Sequence, residues 1–420
     1  MKKQAILVGV NVNRNQEDFE YNMMELENLA NACEIEVRGQ VTQNLPHMNR
    51  TQYVGSGKVE EIRLFVEEAE ANLVIADDEL SPSQIRNLES ELDCEVLDRT
   101  MLILEIFSNR AKTKESKMQV EAARLKYMLP RLVGMREDLG RQGGGVGLNN
   151  RGSGETKIEL DRRKIEEKIS ALNKELLKFS EHRRTQRKQR KKNNMPVVSL
   201  VGYTNAGKST LMNSMLDTFQ DDSDKKVFEK DMLFATLETS VRKVNIRDGM
   251  RILLTDTVGF INKLPHHLVK AFRSTLEEVI EADLLLHVID SSNPHHEEQK
   301  KLTEEILNQL GANGIPVIYV YNKADLCGLQ MPSVQDNCIQ ISAKRKMGLE
   351  ELTNMLSARL FADMHKCEFL VPYTKGEIVS YFTENSHVLF TDYKEEGTQL
   401  IVECSGLDAE KYEQYRVSQN

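Results

Sequence analysis

Apolar runs and striped helical stretches divide the chain into four unlike parts. In residues 1–110 the runs AILVGV, NLVIAD and CEVLD have the continuous apolar character of strands buried on both faces. Between them EDFEYNMMELENLANAC and KVEEIRLFVEEAEA read as helices, the second with Val59, Ile62, Leu64, Phe65 and Val66 as its apolar positions. Strands alternating with helices predict a small α/β domain with a mainly parallel sheet. Residues 111–194 change character. Met118, Ala122, Leu125, Leu129 and Leu132 step by four and three, which puts one stripe on a helix. Ile158, Ile165, Ile169, Leu172, Leu176 and Phe179 repeat at heptad-like steps. Glycine fills seven of the fifteen positions from Gly140 to Gly154, so the two helices are expected to form a long antiparallel hairpin around a glycine-rich loop at 140–156. Residues 195–362 return to buried strands and helices and predict a parallel-rich sheet flanked by helices. Residues 363–420 (EFLVPYTKGEIVSYF, HVLFTDYK, GTQLIVEC) predict a small α+β domain.

Charge follows the same division. The net charge of −9 conceals sums of −11 over residues 1–110, +12 over 111–195 and −10 over 196–420. A basic middle between acidic flanks points to a polyanionic partner for the middle segment alone, and a solvated helical surface is the plainer alternative. Arg136, Arg141 and Arg151 surround the glycine-rich loop, which suits a tip that orders in a crowded polyanionic site. The run RRTQRKQRKK, beginning Arg183-Arg184 and containing Arg187 and Lys188, can hold phosphates or can simply be a solvated helix end. No run approaches 18 apolar residues, so no membrane span or integral membrane contact is expected. The start MKKQAILVGV reads as a strand rather than a signal peptide. Six scattered cysteines fit reduced thiols, and the chain is expected in the cytoplasm.

The chemistry concentrates in residues 195–362. MPVVSLVGYTNAGKSTLMNSML is a buried strand, a glycine-rich turn and a helix start. Gly202, Tyr203, Thr204, Asn205, Ala206, Gly207, Lys208, Ser209 and Thr210 form a phosphate loop whose backbone N–H groups and helix N-terminus suit an anion. Lys208 would reach the β- and γ-phosphates, and the Ser209 hydroxyl would ligate Mg²⁺. Asp256-Thr257-Val258-Gly259 ends an apolar strand: Asp256 would support Mg²⁺ through water, and the Gly259 N–H would sense the γ-phosphate. Asn322-Lys323-x-Asp325 ends another strand. A carboxylate there can accept from the N1–H and 2-amino group of guanine, a donor pair that adenine lacks. Ser342-Ala343-Lys344 offers a backbone N–H to guanine O6. Four such motifs in order at the carboxyl edge of a parallel sheet imply a guanine-nucleotide site. In the polar stretch between the loop and the second strand, Phe234, Ala235 and Thr236 are the candidate first switch, with the Thr236 hydroxyl on Mg²⁺ and its N–H on the γ-phosphate; Thr239 and Ser240 are rivals. Phe260 stands where a glutamine usually orients water, so slow intrinsic hydrolysis and an external activator are expected. Gly55-Ser56-Gly57-Lys58 has only part of a phosphate-loop spacing and reads as a turn capping a helix from Val59. The pairs His266-His267 and His295-His296 are not read as metal ligands, since sequence neighbours rarely share one site.

With these residues, the chain resembles the HflX family of ribosome-associated GTPases over nearly its whole length. GYTNAGKSTL, the TLET region, DTVGF, NKAD and SAK carry the resemblance within 195–362. Outside it the more specific segments are YVGSGKVEEI, VLDRTMLILEIFSNRAKTKESKMQVEAARLKYMLPRL and RGSGETKIELDRR. The resemblance implies GTP hydrolysis stimulated by ribosomes, binding to the large ribosomal subunit with the hairpin loop towards the peptidyl-transferase region, and dissociation of stalled or idle ribosomes under stress. It is taken with a monomeric state off the ribosome. Glu238, Thr239 and Ser240 depart from the Asp-Pro-Thr-Thr expected after the Thr-Leu pair, while Thr236 keeps its place.

Overall fold

The computed structural model describes residues 3–12, 15–134, 151–192, 195–219, 233–234, 239–247, 250–265, 268, 273–328, 331–362 and 364–417, at the backbone alone for 132–134, 151–158, 182, 184, 186–192, 247, 273–276 and 384–385. The chain forms two compact units. One comprises Met1–Gln186, Lys230–Glu238 and Ile261–Ser274; the other comprises Arg187–Glu229, Thr239–Phe260 and Thr275–Asn420.

The first unit opens with β1 (Gln4–Asn11), α1 (Gln16–Ala32), β2 (Glu36–Asn44), α2 (Ser56–Glu68), β3 (Leu73–Ala76), α3 (Pro82–Leu92), β4 (Glu95–Asp98) and α4 (Arg99–Arg110). The sheet order is β2-β1-β3-β4 with every pairing parallel. The apolar runs expected as strands are β1, β3 and β4. Strand β2 carries no apolar run because it is an edge, with a single buried residue, Val41, among its nine. Helix α2 starts at Ser56 rather than at Val59. Gly55 is its N-cap residue, and Lys58 lies in its first turn, 2.7 Å from Glu61. Helix α3 is fixed locally by a Ser81/Gln84 capping box with Pro82 at its first position.

Two long helices follow, α5 (Lys114–Gly134) and α6 (Arg151–Lys192). Lys114 meets Glu175, Glu121 meets Lys168 and Glu115 meets Arg183, so low numbers on α5 face high numbers on α6 and the pair is antiparallel. The stripe positions Ile165, Ile169, Leu172, Leu176 and Phe179 are half-buried amid exposed neighbours. Helix α6 begins at Arg151, so residues 151–156 of the expected loop are helical. A long helix already nucleated downstream extends cheaply through Gly152 and Gly154, each costing only about 1 kcal/mol. The base of α5 is tied to the sheet through buried Asp98, which accepts from Leu80 N–H, Met101 N–H and the Tyr127 hydroxyl.

The second unit contains β5 (Val197–Val201), α7 (Lys208–Phe219), β6 (Ser240–Arg247), β7 (Met250–Asp256), α8 (Arg273–Ile280, in part), β8 (Leu284–Asp290), α9 (His296–Leu310), β9 (Val317–Asn322), β10 (Ser333–Gln335), β11 (Cys338–Gln340) and α10 (Leu349–Leu360). Its sheet runs β10-β11-β9-β8-β5-β7-β6, parallel except where the edges β10 and β6 pair antiparallel. Residues such as Val198, Leu200, Leu286, Val320, Met212 and Leu352 form one buried cluster. The chain closes with β12 (Met364–Val371), α11 (Gly376–Asn385), β13 (His387–Lys394), β14 (Gly397–Ser405) and α12 (Gly406–Lys411), an antiparallel sheet in the order β12-β14-β13 on which Phe382 stacks over Phe369 at 4.7 Å. Among the described residues no helix is long and apolar enough to cross a membrane, and no disulfide joins the cysteines.

Candidate nucleotide site

Strand β5 is central, and the chain leaves it towards β7 on one side and β8 on the other. At such a reversal the carboxyl ends of the strands open a crevice. The turn after β5 holds Gly202 at φ +144°, where a Cβ would stand 2.2 Å from the Val288 carbonyl oxygen. It also holds Gly207 at φ +93°, where a Cβ would stand 2.3 Å from the Asn322 amide nitrogen. Both positions therefore require glycine, for left-handed backbone as well as for space. The turn delivers Lys208 into the first turn of α7, buried, with its Nζ donating to the carbonyls of Gly202 at 3.1 Å and Tyr203 at 2.7 Å. Burial lowers its pKa to about 8, against the opposing pull of the Asp256 carboxylate.

Asp256 ends β7 fully buried, and its Oδ2 accepts from the Ser209 hydroxyl at 2.7 Å. A hydroxyl and a carboxylate brought together as hard oxygen donors beside an anion-binding turn fit Mg²⁺. The Thr257 hydroxyl is used within the sheet, donating to the Leu200 carbonyl at 2.6 Å. Val258 is buried, and Gly259 lies so near the phosphate loop that a Cβ would meet Thr204 Cα at 2.6 Å. The next residue locks this approach: Phe260 N–H donates to the Gly202 carbonyl at 3.2 Å, and Thr204 N–H donates to the Phe260 carbonyl at 2.7 Å.

The third element is built around one amide. Asn322 Nδ2 donates to the Ala206 carbonyl at 3.0 Å, and its Oδ1 accepts from Ala343 N–H at 2.9 Å, so a single side chain joins the phosphate loop to the Ser342-Ala343-Lys344 turn. The Ser214 hydroxyl on α7 donates to the Ala343 carbonyl at 2.7 Å and fixes the same turn. Lys323 adopts φ +60° and its Nζ meets Asp290 at 2.8 Å. Asp325 Oδ2 lies 3.1 Å from Arg345 Nε.

The structure thus gathers Gly202–Thr210, Asp256–Gly259, Asn322–Asp325 and Ser342–Lys344 at one sheet edge. Phe234 is grouped with the first unit, 1% exposed, its ring edge-on to Phe107 at 4.8 Å. Ala235 and Thr236 lie outside the described residues, as do Arg136, Arg141 and the side chains of Arg151, Arg184, Arg187 and Lys188. Arg183 is half-buried against Glu115. Sequence reasoning missed Asp290 and Arg345. Asp290 carried a signal, since it ends the apolar run LLLHVID at the edge where the other site residues lie; Arg345 carried none.

A phosphate loop on a central strand, with an Asp on one neighbouring strand and an Asn-Lys-x-Asp on another, defines a P-loop GTPase. Three family models divide the chain among them: residues 20–108 match one described as GTP-binding GTPase N-terminal, 110–190 one described as GTP-binding GTPase Middle Region, and 197–323 one described as 50S ribosome-binding GTPase. Relatives match along nearly the full length. The GTPase HflX of Caldanaerobacter subterraneus is 46% identical over 96% of this chain and 91% of its own, and that of Lacrimispora saccharolytica 42% over 94% and 92%. A GTP-binding protein of Sulfolobus solfataricus, solved with GDP, is 27% identical with a TM-score of 0.44, covering 86% of this chain and 99% of that one. The chain belongs to the HflX family of GTPases and hydrolyses GTP.

Proposed function

We propose that this GTPase binds the large ribosomal subunit in its GTP form and dissociates or rescues stalled and idle ribosomes. The observation that carries the reading is the pairing of a guanine-nucleotide site with a basic helical hairpin, in a chain whose residues 197–323 match a 50S ribosome-binding GTPase model. The chain is read as four domains, 1–110, 111–194, 195–362 and 363–420. Lys208 draws the β- and γ-phosphates, its ammonium favoured once they neutralise the buried charge. Ser209 and Thr236 would be direct ligands of Mg²⁺ and Asp256 would support it through water; the ion, when bound, would neutralise charge developing on the phosphates. Gly259 N–H senses the γ-phosphate, Asp325 reads guanine N1–H and the 2-amino group, and Arg345 orients that carboxylate. Phe260 offers no side-chain donor or acceptor to align water, so intrinsic turnover is slow and the ribosome supplies the missing stimulus.

GTP turnover by the purified protein, with and without isolated large subunits, tests this alongside a variant lacking residues 140–154. Strong stimulation that needs those residues is expected. No stimulation by large subunits would overturn the ribosome reading and favour an assembly precursor as the activating particle.

A further inference from the structure

The small sheet β12-β14-β13 is covered on one face only. Phe369, Leu400 and Val402 pack with Ile378 and Phe382 of α11 and Ala409 of α12. Side chains alternate along a strand, so the residues between them turn to the opposite face. There Ile401 stands across from Phe390 on β13 and from Glu368 on β12, and Gln399 stands across from Asp392 and Leu370. Glu403 shares this face and meets His387 at 3.1 Å. Phe390 is 50% exposed, so an apolar side chain lies open among carboxylates. The two edges of the sheet differ as well. The outer edge of β12 is closed by the end of the chain: Phe369 bridges to Arg416, and the Val417 N–H donates to the Glu368 carbonyl at 2.9 Å. Strand β13 pairs with β14 alone among the described residues.

An open edge is a template for another chain, and folded proteins blunt it with charge, proline or a bulge. Here a bulge between Val388 and Phe390 blunts the first half of β13 only. Beyond it residues 390–394 keep a regular register, Tyr393 is 75% exposed, and the charges of Asp392 and Lys394 meet each other at 2.7 Å. The surrounding charge selects the partner. Residues 363–420 hold eleven Asp and Glu against five Lys and Arg, a net −6, and Glu395 and Glu396 stand exposed in the turn that ends β13. Such a field repels a polyanion and draws a basic chain. Five residues at ~3.4 Å each span ~17 Å, room for one strand rather than for the ~800 Å² that a folded partner buries on each side. We propose that the outer edge of β13 takes an extended protein segment, rich in β-branched and basic residues, as a fourth strand. Its main chain pairs with residues 390–394, its apolar side chains meet Phe390 and Tyr393, and its cations meet the Glu395-Glu396 turn. This docking is independent of the particle that stimulates GTP turnover.

The test uses the full-length protein and three fluorescent probes matched to the length of β13: a Lys-Val repeat peptide, a Glu-Val repeat peptide and an RNA oligonucleotide. Anisotropy reads affinity, and amide hydrogen exchange reads strand formation. The Lys-Val peptide is expected to bind at least about tenfold more tightly than the Glu-Val peptide. At saturation it should slow exchange within residues 390–394 at least about tenfold, which side-chain docking alone would not do. Phe390→Ser with Tyr393→Ser should weaken it at least about tenfold. Both side chains are exposed, so the thermal midpoint should hold, and Leu64→Ser on exposed α2 surface should leave binding unchanged. No binding of the Lys-Val peptide, equal binding of the two peptides, unslowed exchange at 390–394, or indifference to the double substitution would each overturn the proposal. Protection of the same residues by the RNA would give the edge to nucleic acid and overturn it as well.

Discussion

Lys208 shows at the scale of one residue how a binding site holds a charge ready. Its ammonium is buried between two carbonyls with the Asp256 carboxylate nearby, and burial brings its pKa from 10.5 to about 8. Bound phosphates would favour the charged form, so binding takes up a proton once the free protein has lost it. GDP affinity should therefore weaken roughly fourfold between about pH 7 and pH 8.5, read by titration calorimetry at constant ionic strength; a flat profile would mean the lysine stays charged in the free protein. The residues of the phosphate loop were legible because their chemistry needs a fixed local spacing. The partners of those residues were not. Asn322 was read as part of a base-recognition motif, yet its amide spans the Ala206 carbonyl and Ala343 N–H. Nothing in a run of neighbours announces a bond between residues more than a hundred positions apart.

Among the elements, β8 carries the clearest burden. It is flanked by β5 and β9 and lies inside the sheet, and it holds His287 buried, with a pKa lowered to about 3 by burial and by the cations of Lys300 and Lys208. The unfolded chain protonates this imidazole near pH 6.5 and the folded one does not. Stability is thus fully present above about pH 6.5 and is lost as pH falls below it, by ~2 kcal/mol at pH 5. Thermal midpoints measured over that range should fall for the natural chain and fall less for His287→Gln; parallel slopes would show that other groups govern the acid limb. Interior strands such as β1, β3 and β5 were legible because burial on both faces writes a continuous apolar run. The edges β2 and β10 and the three-residue β11 were not, because such strands can be polar or very short. The start of α6 was missed for a related reason: glycine content argues for a loop, but a 42-residue helix carries a few glycines at small cost.

Across the whole molecule, charge is sorted by segment, and the run 183–192 puts seven basic residues at the end of α6. If these meet RNA phosphates, affinity for large subunits should fall steeply with salt. Replacing Arg187, Lys188, Arg190 and Lys191 by glutamine should flatten the plot of log affinity against log salt by roughly 0.7–0.9 for each phosphate that is no longer neutralised. An unaltered slope would assign that run to solvent. The fold class and the order of its parts were legible from periodicity, motif order and the family resemblance. The grouping of Ile261–Ser274 with the first unit was not, since it depends on Lys263 and Asn262 meeting groups some two hundred residues earlier. Helix α6 has a consequence at this scale. Its 42 residues make a rod ~63 Å long, joined to β5, and so to the phosphate loop, by only residues 193–196. A rod of that length is about twice the diameter of a small domain, so the two ends of one helix lie farther apart than a single small domain spans.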